Sequence, residues 1–361
     1  MSARVPADVV FVSHEATLTG APVGLLQLLR WLGEHTGLRA EVVLLTGGPL
    51  ADAFDGVAPV RTADELLAGP PPRVLFLNSC FSATVLDDDG FPGSYVIARV
   101  PELEVAFDEV LDAGVRARLL ARADRFIAVA ERVRRHLVEG HGVPEADVAV
   151  VHGCIPVDEV TAGEADVAEA RVAAGIPAGV PVVGAVGKRA WRKGADLFVQ
   201  LAADIVARRP ELAVHFLWLG SHDESAHFRR LEDDVRRAGL DGRVHLLADD
   251  PHPAAFEAAM DVFVLTSRED PFPRVALEAA ALGRPIAAFD SGGVEELVAR
   301  AHTGVVRYGD VEAMADRVLA WLDDPAEARR VGALLARAVR EHHDLAVGAP
   351  KLLAEIERGL R

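Results

Sequence analysis

Short apolar runs alternate with helical stretches along nearly the whole chain, and that alternation is the signature of a parallel α/β architecture. The runs expected as strands cover 8–14, 41–45, 74–77, 95–100, 126–129 and 148–151, then 182–186, 214–219, 244–247, 262–267 and 304–307. Between them, helical patterns are expected over 104–122, 131–139, 165–174, 196–207, 228–238, 253–260, 274–282 and 293–300. An earlier helix follows Gly20-Ala21-Pro22, with Pro22 suited to its first position and Leu25, Leu28, Leu29 and Leu32 on one face. The 361 residues exceed one ordinary core and suit two domains of about 150 to 200 residues. The composition shift after residue 157 sets the expected layout. A first domain spans 1–157, a connection 158–180, a second domain 181–340, and a C-terminal helical segment 341–361 whose apolar Leu352, Leu353 and Ile356 offer a face for returning to the first domain.

Charge and cysteine content narrow the function classes. A formal net charge of −17 argues against a general nucleic-acid binder, which carries a basic footprint, and against stable attachment to an anionic membrane. No apolar run approaches the roughly 20 residues of a membrane span, and the first residues lack a signal-peptide pattern, so the cytoplasm is the expected location. Cys80 and Cys154 are too few for a disulfide framework or a cysteine-rich metal site and read as small core residues.

Lysine occurs only at Lys188, Lys193 and Lys351, and two of the three fall in one loop. The segment Gly184-Ala-Val-Gly187-Lys188-Arg189-Ala190-Trp191-Arg192-Lys193-Gly194 follows a strand and precedes a helix. Glycines admit close backbone approach, a helix start offers free N–H groups to an anion, and four cations in six residues add charge, so a diphosphate suits it. The GxxxxGK[ST] and GxGxxG orders are both absent, which removes the main support for ATPase and dehydrogenase readings.

The second informative stretch is 261–296. A strand leads through Arg268, Glu269 and Asp270 into Pro271-Phe272-Pro273 and then a nearly all-apolar helix that contains one carboxylate, Glu278. A carboxylate in a buried helix is costly without a partner. Asp270 and Glu278 are open to three readings: an acid/base pair, acceptors for sugar hydroxyls, or an ordinary loop and helix acid. Ser291-Gly292-Gly293 is a further glycine-rich turn into a helix. His14 ends the first strand, at the edge where α/β sheets bind ligands, and Asn78-Ser79 end another. The acidic run Asp87-Asp88-Asp89 beside Gly90 and Pro92 reads as a solvated turn instead of a metal site.

Four segments resemble the retaining, nucleotide-sugar-dependent glycosyltransferases of the GT-B fold, specifically glycosyltransferase family four: FVSHEATLTGAP, VGKRAWRKGADLF, TSREDPFPRVALEAAALGRPIAAFDSGG and HTGVVRYGDVEAMADRV. The resemblance implies two Rossmann-like doubly wound domains with an interdomain cleft. It implies an NDP-sugar as co-substrate, no further cofactor, no metal, and a small-molecule or saccharide acceptor. It assigns the donor diphosphate to Lys188 and Lys193, with Gly187, Arg189 and Arg192 beside them. Asp270 would meet the sugar and Glu278 the ribose, as the two acids of an E-x7-E pattern. The backbone of Phe272, Pro273, Arg274 and Val275 would line the sugar and diphosphate, and Gly20 and Ala21 would close from the first domain.

Three positions depart from the pattern. The first acid is the shorter Asp270, Pro273 replaces a glycine, and Pro101 stands before Glu102-Leu103 where relatives carry histidine. The missing group is then replaced by His14, by Arg99, or by none. The reaction implied is transfer of a hexosyl group from an NDP-sugar with retention. The alternatives are a nucleotide-sugar epimerase of the same fold and a non-catalytic nucleotide-sugar-binding protein.

Overall fold

The computed structural model describes residues 7–87, 91–220, 226–250 and 252–361, without the side chains of 226–229. The described residues fall into two compact units. One combines the chain up to Ile155 with His343–Arg361, and the other is Pro156–His342.

In the first unit, β1 (Val9–Ser13), β2 (Ala40–Leu44), β3 (Val60–Arg61), β4 (Val74–Asn78), β5 (Tyr95–Val100), β6 (Arg125–Ala128) and β7 (Val148–Val150) make a sheet in the order β3-β2-β1-β4-β5-β6-β7. Every pairing is parallel. Helices α1 (Gly20–His35), α2 (Ala51–Asp55), α3 (Ala63–Leu67), α4 (Ala113–Arg122) and α5 (Glu131–Arg135) connect them. Parallel strands are covered on both faces, which is why β1 and β4 are buried throughout and read as unbroken apolar runs.

The second unit holds α6 (Glu164–Ala173), β8 (Val182–Val186), α7 (Ala195–Arg208), β9 (His215–Leu219), α8 (Ala226–Arg237), β10 (Val244–Leu247), α9 (Pro253–Ala258) and β11 (Val262–Leu265). It continues through α10 (Arg274–Ala281), β12 (Ile286–Ala288), α11 (Val294–Val298), α12 (Val311–Asp323) and α13 (Pro325–His342). Its parallel sheet runs β10-β9-β8-β11-β12. The last helix, α14 (Leu345–Leu360), buries Ala349, Leu352 and Ile356 in the same core as Leu25, Leu28 and Leu29 of α1.

Several local expectations are corrected. The segment 158–180 is part of the second unit instead of a connection. Ala170, Ala174 and Ile176 are buried there, and Arg171 donates to the carbonyls of Ala259, Pro177 and Val180. The helix expected over 104–122 is broken: Val105–Val110 is π-helical, and a new helix starts at Ala113 because Asp112 accepts from the N–H groups of Gly114 and Val115. The helix expected over 131–139 turns π-helical at His136–Gly140. Residues 304–307 form no strand and meet the sheet only through a single bridge between Phe289 and Val306. Strands β3 and β12 are additions to the expected set. Asp88, Asp89 and Gly90 of the acidic run lie outside the described residues.

Candidate functional site

In each sheet, chain direction reverses its lateral progress at one place, and ligands of open α/β sheets bind beyond the carboxyl ends of the strands at such a point. In the second unit this place lies between β8 and β11. The loops leaving these two strands are the lysine-bearing loop and the Asp270 loop.

After β8 the chain turns at Gly187, whose carbonyl accepts from Trp218 Nε1 at 2.8 Å, and passes through the 3₁₀ turn Trp191–Lys193. Gly194 then starts α7 in the left-handed region, at φ 69°. A Cβ there would stand 2.0 Å from the backbone oxygen of Thr266, so only glycine lets this loop lie against the end of β11. The approach brings Lys193 Nζ to 2.5 Å from Asp270 Oδ2, and Ser267 Oγ donates to the same carboxylate oxygen at 3.2 Å. Asp270 is 4 % exposed. Burial pulls the Lys193 ammonium below the usual lysine range, with Asp270 opposing the shift and Arg192 adding to it.

Asp270 N donates to Ser291 O at 2.8 Å, and Gly293 N donates to Pro271 O at 2.9 Å, which ties the Ser291-Gly292-Gly293 turn to the same spot. Ser291 Oγ is buried and makes no hydrogen bond among the described residues. Helix α10 begins beside it at Pro273 without a side-chain cap, so its first N–H groups have no side-chain acceptor. Arg274 Nε lies 2.8 Å from Glu278 Oε1 on the following turn, and Val275 occupies the same first turn of α10.

Not every expected cation faces Asp270. Lys188 is exposed. Arg192 Nη1 donates to the Glu269 carbonyl at 2.8 Å, so it buttresses the loop instead of standing open to an anion. Arg189 is 4 % exposed, and the carboxylates that act on it are Glu232 and Asp249; burial holds its guanidinium below the ordinary arginine range. Arg268, which the sequence pattern did not single out, grips Asp196 with two hydrogen bonds of 2.8 and 2.6 Å and lies over the exposed Trp191 ring at 5.1 Å.

Glu257 of α9 was also missed. It is 1 % exposed, and its Oε1 accepts no hydrogen bond among the described residues. Burial raises its carboxyl well above the carboxylate range and the Glu278 charge raises it further, while Arg274 opposes. Glu278 is raised by burial too, against the pull of Arg274. The sign follows from proton linkage: a carboxyl with a raised folded pKa binds more protons folded than unfolded, so stability falls as pH climbs from its unfolded value through its folded one. Glu257→Gln is therefore expected to raise stability at pH 8 by about 1 to 3 kcal/mol and to flatten the decline between pH 5 and 8. Urea melts of both proteins across that range measure it, and an unchanged slope would show that Glu257 is not the group responsible.

In the first unit the corresponding place lies between β1 and β4. His14 follows β1, its ring 5.8 Å from Phe81 and its Nε2 3.5 Å from Glu15 Oε1. Burial lowers its pKa, partly offset by Glu15. The Glu15 carboxylate accepts from the hydroxyls of Thr17 and Thr19, both at 2.7 Å, and so organises the loop that leads to Gly20. Asn78, at the end of β4, donates to the Ala21 carbonyl at 2.9 Å and accepts from Arg99 at 3.0 Å, which fixes the start of α1. Glu102, next to Pro101, accepts from Ser79 Oγ and Cys80 N and sits among the buried residues. Ser79 is held at φ 104°, a conformation unusual for serine.

Two parallel doubly wound units, with these loops at the reversal points of both sheets, define the GT-B glycosyltransferase fold. Residues 180–324, which lie within the second unit, match the family model described as glycosyl transferases group 1. The chain is 31 % identical over 220 residues to a D-inositol 3-phosphate glycosyltransferase of Nocardia farcinica, covering 60 % of this chain and 48 % of the relative. It is 30 % identical over 229 residues to the lipopolysaccharide core biosynthesis mannosyltransferase LpcC of Rhizobium leguminosarum bv. viciae, covering 63 % and 62 %. The chain thus spans about half to three fifths of the curated relatives it matches. Among solved structures, Anabaena Alr3699/HepE in complex with UDP superposes with a TM-score of 0.84 at 18 % identity, over 97 % of this chain and 100 % of that one. WaaG, a glycosyltransferase involved in lipopolysaccharide biosynthesis, superposes with a TM-score of 0.75 at 16 % identity, over 96 % and 99 %. No helix among the described residues is long and apolar enough to cross a membrane.

Proposed function

We propose that the protein transfers a glycosyl group from a nucleoside-diphosphate sugar to an acceptor hydroxyl with retention of configuration, the donor being held by the second unit. The observation that carries this reading is the Lys193–Asp270 pair at the β8/β11 reversal point, beside the uncapped start of α10. A diphosphate entering there would exchange one anionic partner of Lys193 for another and meet the first N–H groups of α10. Lys188, exposed on the same loop, would supply the second cation.

The anomeric C–O bond to the diphosphate breaks as the acceptor oxygen bonds to the same face of the anomeric carbon. The departing phosphate oxygen takes the acceptor proton. A unit charge pair at 4 Å in an effective dielectric near 20 is worth roughly 4 kcal/mol before desolvation, so two cations supply charge stabilisation that a metal provides in other transferases. Glu278 would meet the ribose on displacing Arg274 from one carboxylate oxygen, and Asp270 would meet the sugar. Metal-free reaction and a cytoplasmic site of action belong to this same reading.

The solved relative bound to UDP and to UDP-glucose makes UDP the first nucleotide to test. The two curated relatives bear names that point to an inositol phosphate and a lipopolysaccharide core as acceptors, so the acceptor class is a small polyol phosphate or a saccharide. A thermal-shift series with UDP, GDP, ADP and their sugars tests the donor site. At least one is expected to raise Tm, by about 2.7 kcal/mol of stabilisation at a hundredfold excess over Kd. Silence across the series would remove the donor-binding reading.

A second reading, a nucleotide-sugar-binding protein without transfer, draws on Pro101, with Glu102 engaged in capping Ser79 and Cys80. It predicts binding with no release of NDP from any donor–acceptor pair, which chromatography of the nucleotides would reveal.

A further inference from the structure

We infer that Asp108, His136 and His141 form a binding site for one Zn²⁺ ion in the first unit, apart from the loops at the β1/β4 reversal point. His141 Nε2 lies 3.3 Å from His136 Nε2, 2.9 Å from Asp108 Oδ1, and His136 Nε2 lies 3.4 Å from Asp108 Oδ2. One ligand atom from each residue falls within 4.8 Å of the others. A tetrahedral zinc ion with bonds of about 2.0–2.1 Å sets its ligand atoms about 3.3 Å apart; the two imidazole nitrogens already stand at that spacing, and each has one Asp108 oxygen within 3.4 Å, Oδ1 for His141 and Oδ2 for His136.

The two imidazoles can share a hydrogen bond through their Nε2 atoms, but the carboxylate takes no part in it. Asp108 Oδ1 is shielded from solvent and accepts no hydrogen bond among the described residues, even though an imidazole nitrogen stands at 2.9 Å. The closeness without alignment is what results when nitrogen and oxygen both aim at a third point. The two imidazole rings meet edge to face, 88° apart with centroids at 4.8 Å, which directs both Nε2 atoms inward from different sides.

The backbone builds this arrangement. On an α-helix of 3.6 residues per turn, residues five apart point about 140° away from each other. The π-helical turn His136–Gly140 widens the winding and brings His141 back beside His136. A second π-helical segment, Val105–Val110, presents Asp108. Arg116 secures it by donating to the carbonyls of Phe107 and Asp108 at 3.0 and 2.8 Å. Phe107, fully buried, backs both imidazoles at 5.7 and 5.0 Å. His136 and His141 are largely covered, at 8 % and 15 % side-chain exposure, whereas Asp108 at 35 % stands toward solvent. Water can enter on that side as the fourth ligand, the pattern of three protein ligands and one exchangeable position.

The test uses the untagged full chain, stripped with a chelator and dialysed against ZnSO₄. One Zn²⁺ per chain is expected, and Co²⁺ loaded in its place should give the intense visible bands of a four-coordinate ion. His141→Ala and Asp108→Asn should each weaken Zn²⁺ more than about 100-fold and abolish the Co²⁺ bands, since even partners outside the ligand set change affinity by about 10–100-fold. His215→Ala, which breaks another histidine pair, at 2.9 Å from His245, should leave both signals intact. Circular dichroism of the variants confirms that they fold. Failure of the folded wild type to bind stoichiometric Zn²⁺ overturns the inference, as does binding that survives Asp108→Asn and His141→Ala or disappears in His215→Ala.

Discussion

Lys193→Met is expected to lower the unfolding free energy by about 3 to 5 kcal/mol, the scale on which removing one member of a buried ion pair destabilises a protein. Both partners are well covered, with side-chain exposures of 17 % and 6 %, so solvent screens the pair little. The loss comes from Asp270, which would keep only the Ser267 hydroxyl as a side-chain partner. Asp270→Asn in the same chain should restore much of that loss, because the amide carries no charge to strand. Urea titration of the four proteins of this cycle measures the coupling. A coupling below about 1 kcal/mol would place the pair with ordinary surface bridges. Nucleotide affinity reads out the other role: the double variant should fold well and still bind UDP far more weakly than the wild type, since restored stability does not restore the cation.

Gly194→Ala should have an effect of similar size through a different cause. A left-handed residue with a Cβ is strained by about 1 to 2 kcal/mol. Here the added carbon would also press on Thr266 O at 2.0 Å, backbone against backbone, so the loop must move. A total loss of about 3 kcal/mol or more is expected. The displacement carries Lys193 away from Asp270. A variant that melts like the wild type but no longer responds to nucleotide would locate the damage in the loop alone; normal behaviour in both assays would refute the tight packing of Gly194 on Thr266.

How far the sequence reveals these features depends on the range of the interaction. The strands of both sheets are legible because parallel strands are buried on both faces, and only β3, of two residues, and β12, of three, escape an apolar-run criterion. The lysine-bearing loop is legible from the rarity of lysine. Its contact with Asp270 is not, because 77 residues separate the partners and only the adjacency of β8 and β11 joins them. Glu257 carried a readable signal, an acid within the apolar run PAAFEAAM, and the reasoning that singled out Glu278 applies to it equally. The π-helical turns carry no such signal, since their apolar spacing resembles that of an α-helix, and His136 and His141 look unrelated in an α-helical register. Asp112, by contrast, stands before Ala113 and Gly114 as a visible helix start.

The return of the chain to its first unit has a consequence for how the protein is made. Ile155 N donates to His343 O at 3.0 Å and Leu345 N donates to Ile155 O at 2.8 Å, so departure and re-entry are stitched together and the second unit is, in connectivity, an insertion. On the ribosome, residues 156–342 emerge as one uninterrupted stretch and can close their own core. The first unit must wait for α14 to cover Leu25, Leu28 and Leu29, leaving that apolar patch exposed to chaperones or to neighbouring nascent chains until synthesis reaches residue 360. The half of the protein that is translated first is therefore the half that is finished last.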